Sequence, residues 1–400
     1  MLNPGFTVFR CLQSVKQRGI IRVVYKRGVN RDTGNLTGTA DNMQIPRVDR
    51  HQGMLLKKTP FSSFETFHTV FNKRLTGLLS DYDELGIYIL VMAHAGFDST
   101  LRKSLVGPLK KRFNRMAGEL RKGRKRGLYL DDAGDDLQVF QSMMDIEFDG
   151  LRPAQFRSIG PWELQFNQMR SLRPARMAGE VADKIRVSFN PDLFNFSAPF
   201  LRKEIFWQGR VAGRKASIFF NKFPFVAMHS ILVPELRSGH PQFLSRSDHD
   251  FLWRLGEELA ENLPGIGFGY NSYGALASIN HLHFQMFYRE HPLAVSDPRW
   301  RHNGGETDYP IACSRFDSEP ESWRFIDDLH RMNCSYNLVH LPGRTYCVPR
   351  LKQGTYPISD WSEGFAWYEM AGGFITSCPE NFDRISRKDL ELEMSQLSLT

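Results

Sequence analysis

The 400-residue sequence has no run of about 18 consecutive apolar residues, so no helical membrane span is expected. Its five cysteines (Cys11, Cys313, Cys334, Cys347 and Cys378) are odd in number and scattered, which excludes a disulfide framework and suits a reducing, cytoplasmic setting. There is no Cys-x-x-Cys pair and no His-Glu-x-x-His, so no metal site is expected. No Walker sequence is present, and Gly265-x-Gly267-x-x-Tyr270 lacks the third glycine of a dinucleotide loop. Gly269-x-x-Ser272-x-Gly274 is one residue too long for a nucleophile elbow. No cofactor is therefore implied. Apolar residues make up 41% of the chain and charged residues 24%, enough for a large core and two or three domains.

Charge is unevenly spread. Residues 1–127 carry 24 Lys/Arg against nine Asp/Glu, a net of +15, and residues 128–400 carry 28 against 35, a net of −7. Between Arg102 and Arg126 eleven basic residues face only Glu119. Such asymmetry points to a polyanion or protein contact, or to a solvated basic helix face. Phe113 is the lone aromatic there, so base stacking is not indicated. The first 31 residues hold seven Lys/Arg and no acid but lack the apolar core of a secretory signal.

Residues 28–60 read as loop. From Ser62 to about Arg126 the pattern is helical, with Phe64, Phe67, Val70, Phe71 and Leu75 at three- and four-residue spacing and Leu85–Ala95 as a buried helix. Asp131, Asp132, Asp135 and Asp136 mark a boundary. The expected domains are a basic N-terminal module over 1–150, loop-rich and then helical, followed by units at 151–300 and 301–400. After residue 160 the texture becomes β-like. Strands are expected at Ala216–Phe220 and Ser230–Val233, a helix over 247–262 capped by Ser247 and Asp250, and a strand from about Asn280 to Tyr288. Tyr336–Val339, Arg344–Val348 and Ala366–Ile375 read as further strands before a closing helix from Ser386. The fold class is α+β, with two related halves.

The most specific feature is Ser278-Ile-Asn-His281-Leu-His283-Phe-Gln285-Met-Phe. On a strand, alternation puts His281, His283 and Gln285 on one side and Leu282, Phe284 and Met286 on the other. Two imidazoles and an amide in one row suit phosphate chemistry: a nucleophile, a proton partner and an oxygen ligand. A row of surface histidines, or a two-histidine metal pair, would read the same way.

The surrounding order is Asn221-Lys-Phe-Pro224, His229-Ser-Ile-Leu-Val-Pro234, a helix, Tyr270-Asn-Ser272, and then His-x-His-x-Gln. It resembles the nucleotidyltransferase branch of the histidine triad (HIT) superfamily, which includes galactose-1-phosphate uridylyltransferase and diadenosine tetraphosphate phosphorylase. The segment Gly269–Gln285 is most similar to the GDP-hexose phosphorylases. Gln165-Phe-Asn167 with Arg170, Phe194-Asn-Phe196 with Glu204, Tyr336-Asn-Leu338, and Ala366-Trp-Tyr-Glu369 with Gly372 extend the likeness. Asn221-Lys-Phe-Pro looks instead like the diadenosine tetraphosphate phosphorylases. The resemblance covers about 160–395 and leaves residues 1–150 unexplained.

The resemblance implies an antiparallel HIT-like sheet with flanking helices, the second half lacking the histidines. It implies His283 as nucleophile, His281 orienting the phosphate, Gln285 steadying the transferred phosphoryl group, and Ser278 at the β-phosphate or leaving group. Asn271 and Ser272 would contact phosphates, and Asn221 and Lys222 would lie by the nucleotide. Met228 stands where many relatives have glycine before the histidine. The implied partners are a nucleotide sugar or dinucleotide and inorganic phosphate, possible homodimerisation included. A hydrolase or a non-catalytic nucleotide- or RNA-binding protein would share these features in part.

Overall fold

The computed structural model describes residues 59–123, 135–173, 182–362 and 364–399. The expected loop over 28–60, apart from its last two residues, and the acids Asp131 and Asp132 lie outside these residues, as do Cys11 and Arg124–Arg126.

Helices α1 (Phe64–Asp81), α2 (Leu85–Ala95), α3 (Ser99–Arg121) and α4 (Asp135–Ile146) come first. The Ser63 hydroxyl caps α1 by accepting the Thr66 N–H, and Phe67, Phe71, Leu75 and Leu78 line its buried face. Every residue of α2 is buried. Along α3 the stripe Leu101, Leu105, Leu109, Phe113, Met116 and Leu120 points inward. Its basic residues turn outward or into local pairs: Lys110 with Asp149, and Arg115 with Asp83 and Glu119. Exposed pairs of this kind contribute about 0–1 kcal/mol each, whereas each buried Leu or Phe contributes about 1.5–3 kcal/mol. The apolar stripe therefore holds α3 in place.

Strands β1 (Gln155–Ile159) and β2 (Trp162–Phe166) form a hairpin, and α5 (Gln168–Ser171) follows. Then come β3 (Ile205–Val211), β4 (Arg214–Phe220), β5 (Ser230–Pro234), α6 (Arg246–Ala260), β6 (Ile266–Asn271) and β7 (Phe284–Tyr288). The chain continues with β8 (Ser314–Phe316), α7 (Glu319–Arg331), β9 (Ser335–Leu341), β10 (Arg344–Arg350), α8 (Trp367–Met370), β11 (Gly373–Thr376), α9 (Pro379–Arg384) and α10 (Arg387–Ser395). The class is α+β. Eight strands form one antiparallel sheet in the order β3-β4-β5-β7-β6-β9-β10-β8. The β6–β9 pairing fuses the earlier and later strands into a single sheet.

The N-terminal helices share a core with this sheet. Phe71 of α1 meets Phe220 at 4.8 Å and Phe206 at 5.5 Å between ring centroids. A second core, built around Trp162, Trp300, Phe287 and Trp367, lies under the small sheet β1-β2-β11.

Three expectations need correction. The strand before Tyr288 begins at Phe284, not Asn280, because the backbone of residues 282–283 is bonded to His240 and Gln242 instead of a ladder neighbour. The α6 cap is Ser245 with Asp248, two residues earlier than Ser247 with Asp250. Ala366–Ile375 is not one strand. Glu369 accepts the Ala366 N–H to start α8, and Gly372 (φ +91°) turns the chain into β11, which pairs with β2. There a Cβ would stand 2.5 Å from that of Ala294.

Candidate active site

The His-x-His-x-Gln segment crosses the middle of the large sheet. Its apolar set behaves as alternation dictates: Leu282, Phe284 and Met286 are buried in the core beneath. The buried side chain of Gln242 pins His283 from both sides. Its Oε1 accepts the His283 N–H at 2.9 Å, and its Nε2 donates to the His283 carbonyl at 3.3 Å and to Asn271 O at 2.9 Å.

His283 is 5% exposed. Its Nδ1–H donates to the His281 carbonyl at 2.8 Å, which leaves the Nε2 lone pair as the reactive edge. Burial pushes its pKa down to about 4, although the His281 carbonyl works the other way. At neutral pH the ring is uncharged. His281 is buried too, and its Nδ1 accepts the Phe196 N–H at 3.2 Å, so its proton sits on Nε2. Burial, then His283 and His240, lower its pKa to about 4.

Gln285 is held by its carbonyl. Trp367 Nε1–H donates to Gln285 Oε1 at 2.9 Å. His229 lies 3.1 Å from the same oxygen, and its Nδ1 faces the Phe225 N–H at 3.4 Å, so His229 Nε2 carries the proton and donates. With two donors on Oε1, the amide NH2 is the end left to face the cavities.

Two cavities meet at His283, and Gln285, Ser278, Arg170 and Arg173 line both. One, of about 120 Å³, is walled by phenylalanines (Phe194, Phe196, Phe200, Phe219) and carries Lys222, Glu204 and Asp136. The other, of about 40 Å³, is polar and includes Asn271 and Glu369. A larger hollow of about 320 Å³ lies by Phe64, His68 and Asp98, away from His283. The site is placed by chemistry rather than by size.

The other expected residues divide. Asn221, Lys222, Asn271 and Ser278 line one or both cavities. Asn221 folds its Oδ1 back onto the Phe223 N–H, and its carbonyl lies 2.8 Å from His94 Nε2 of α2. Asn271 Oδ1 accepts from Asn337 and from the Trp367 N–H. Ser272 and His281 line neither cavity; the Ser272 hydroxyl accepts the Tyr336 N–H at 2.8 Å. Met228 has φ +52°, the left-handed conformation that favours glycine. Among the described residues no group of three or more His, Cys, Asp or Glu could hold a metal.

Residues quoted only for their likeness gain positions. Gln165 donates to the Phe225 carbonyl, Asn167 to that of Pro224, and Arg170 to that of Phe223, so this strand and α5 clamp the 221–229 loop. Asp136, Arg173 and Gln242 were not singled out from the sequence. Asp136 showed only as one of a run of acids, and nothing local distinguishes the other two.

Six buried histidines, including His94, His229, His283 and His340, have pKa values lowered chiefly by burial. Unfolded, the same rings take up protons below about pH 6.5, so the unfolded chain binds more protons and stability falls as pH drops. A ring held at about 4 withholds its proton at a cost of up to about 3 kcal/mol. The melting temperature is expected to drop by 10 °C or more between pH 7 and pH 4.5, and a flat profile would contradict this reading.

A family profile described as "GDPGP1-like, N-terminal domain" matches residues 162–287, the stretch that carries both histidines and Gln285. A GDP-D-glucose phosphorylase 1 of Danio rerio is 34% identical over 113 residues, 28% of this chain and 32% of the relative. A GDP-L-galactose phosphorylase 1 of Arabidopsis thaliana is 33% identical over 149 residues, 33% of this chain and 32% of the relative. The chain resembles the GDP-hexose phosphorylases. The matched stretch spans about a third of the length of each of these relatives. The crystal structure of yeast Ap4A phosphorylase Apa2 in complex with Ap4A aligns with a TM-score of 0.43 and 14% identity, covering 66% of this chain and 98% of that one. Among the described residues no helix is long and apolar enough to cross a membrane.

Proposed function

We propose that the protein is a phosphorylase that cleaves a nucleoside diphosphate hexose with inorganic phosphate, in two displacements through a nucleotidyl-histidine. His283 Nε2 attacks the α-phosphorus, the bond to the bridging oxygen breaks, and hexose 1-phosphate leaves. A phosphate oxygen then attacks the same phosphorus, the phosphorus–nitrogen bond breaks, and a nucleoside diphosphate is released. One observation carries this reading: a neutral imidazole, its Nδ1–H tied to a carbonyl, stands where a phenylalanine-lined cavity meets a polar one. A neutral imidazole is both a good nucleophile and a fair leaving group. The apolar cavity suits a nucleoside; the polar one suits phosphate and sugar hydroxyls.

In this reading the Gln285 NH2 donates to the transferred phosphoryl group, and Arg170 and Arg173 offset its charge as it passes to nitrogen. Ser278 lies by the leaving oxygen, Asn221 and Lys222 serve the nucleoside, and Asn271 the phosphates. His281 orients His283 through its carbonyl, and Ser272 holds the strand beside the site. The free thiols among the described cysteines support a cytoplasmic setting. The outward lysines of α3 support a polyanion contact only through their charge.

The test is product analysis on a panel of nucleotide sugars and dinucleotides. Hexose 1-phosphate and nucleoside diphosphate are expected when phosphate is present, with at most a few per cent of that rate without it. Release of nucleoside monophosphate at the same rate with or without phosphate would make the protein a hydrolase instead.

A further inference from the structure

The hollow of about 320 Å³ takes no part in the displacement chemistry. It lies between α1, the turn from α2 to α3, β1 and the end of β7, and Val226 and Met228 form part of its wall. Its size is at the small end of the range for small-molecule sites. Aromatic rings dominate the lining. Phe64 stacks on Tyr288 at 4.3 Å between centroids, and Phe97 meets Phe156 edge-on at 6.2 Å. Phe156 is 48% exposed, so an occupant would cover apolar surface that the chain leaves open.

Two acceptors stand among these rings. His94, at the end of α2, is 3% exposed. Its Nε2–H donates to the Asn221 carbonyl at 2.8 Å, so the lone pair is on Nδ1. Burial, against the pull of the Asn221 carbonyl, lowers its pKa to about 4, which keeps the ring neutral and Nδ1 an acceptor. Among the described residues Nδ1 has no hydrogen-bond partner. A buried acceptor left unmet is costly, and the hollow that this ring lines can admit a donor to it. The second acceptor is Asp98. Its Oδ1 accepts the Leu101 N–H at 2.8 Å, and its Oδ2 lies 2.8 Å from His68 Nε2 and 2.9 Å from Asn72 Nδ2. Burial raises the Asp98 pKa, but the Leu101 N–H, Asn72 and His68 outweigh it and hold the carboxyl below its usual range. The group is therefore an anion, and Oδ1 can take a second donor. Capping of α3 explains Asp98 alone; it explains neither the rings nor the unmet nitrogen of His94.

We infer that the hollow is a second ligand site, for a small arylalkyl ammonium whose ring carries a hydroxyl or N–H donor. The ring lies among the aromatic side chains, the ammonium pairs with Asp98, and the ring donor meets His94 Nδ1. Aromatic faces and a carboxylate both attract a cation. An anion would meet Asp98 and Glu290 instead, and the Arg289 guanidinium on the wall is spent on Glu163, at 2.9 Å through each terminal nitrogen. This site is therefore unsuited to a nucleotide, and it is separate from the cavities at His283.

The test is calorimetric titration of the full chain with three probes: tyramine, phenethylamine, which lacks the ring hydroxyl, and 3-(4-hydroxyphenyl)propionate, which carries a carboxylate in place of the ammonium. Tyramine is expected to bind with a Kd below about 1 mM. Phenethylamine should bind about 10-fold more weakly, and the carboxylate at least about 30-fold more weakly. Asp98→Asn keeps the shape and the helix cap but removes the charge. It is expected to weaken tyramine about 10-fold or more and to narrow the gap between amine and carboxylate. A second variant, His94→Phe, removes the acceptor and should erase the advantage of tyramine over phenethylamine. Binding of tyramine to His283→Asn should match the wild-type chain, since no turnover is involved. No saturable tyramine binding below about 10 mM would overturn the inference. So would equal affinity for the amine and the carboxylate, or an unchanged tyramine Kd in folded Asp98→Asn. Displacement of tyramine by a nucleotide sugar would put it in the cavities at His283 and overturn the inference as well.

Discussion

His283→Asn is expected to lower phosphorolysis by about 10⁴-fold or more while leaving nucleotide affinity within a few-fold. The asparagine amide can still meet the His281 carbonyl, but it has no lone pair able to attack phosphorus. The ring's environment explains why the loss should be so large. Its Nδ1–H is committed at 2.8 Å, its backbone N–H is held by Gln242, and burial keeps it neutral, so a single nitrogen is ready at all times. Protonation would occupy that nitrogen. Because the pKa is lowered to about 4, His283 itself should not limit the rate between pH 8 and pH 5.5, and an acid limb should appear only below that. Steady-state rates of the folded variant, checked by its melting temperature, decide the matter. More than a tenth of wild-type turnover in His283→Asn would remove it as the nucleophile.

Gly269→Ala is expected to cost both stability and rate, although Gly269 touches no substrate in this account. A Cβ there would lie 2.1 Å from Trp367 Cδ2 and 2.3 Å from Cε2, so the indole would have to move. It has little room, being fully buried and stacked on Phe287 at 4.8 Å. Overpacking of this kind costs about 1–3 kcal/mol, or roughly 2–10 °C in melting temperature for a chain of this size. The rate should fall because Trp367 is what orients Gln285 through Nε1 and Asn271 through its backbone N–H. Trp367→Phe separates the two effects. It removes the donor without the clash, and should reduce kcat about ten-fold with KM nearly unchanged. A Gly269→Ala protein with wild-type melting temperature and kcat would show that the indole has no such role.

What the sequence made legible follows from local physics. The three- and four-residue spacing of Phe67, Phe71 and Leu75 is a property of one helix, and α1 lies where that spacing puts it. The two-residue alternation of Leu282, Phe284 and Met286 likewise placed one face in the core and His283 and Gln285 toward the cavities. Met228 stands out in the sequence where many relatives have glycine, and its backbone is left-handed. The misreadings each turn on a distant partner. Ser245-x-x-Asp248 and Ser247-x-x-Asp250 fit one capping pattern equally well; Asp248 also binds Arg214, 34 residues away. Residues 281–283 look like strand, yet their hydrogen bonds run to the 240–242 loop. Lys222 has no partner near it in the sequence; Asp136 and Glu204 reach it from two other segments. The positioning of Gln285 by Trp367 joins residues 82 apart, which no spacing rule could anticipate.

The most direct measurement is a quenched single turnover with the α-phosphate of the nucleotide sugar labelled and phosphate left out. The account expects about one label per chain, acid-labile and stable to alkali as a phosphoramidate is, lost on adding phosphate and absent in His283→Asn. Product formed at full rate with no label on the protein at any time would contradict it.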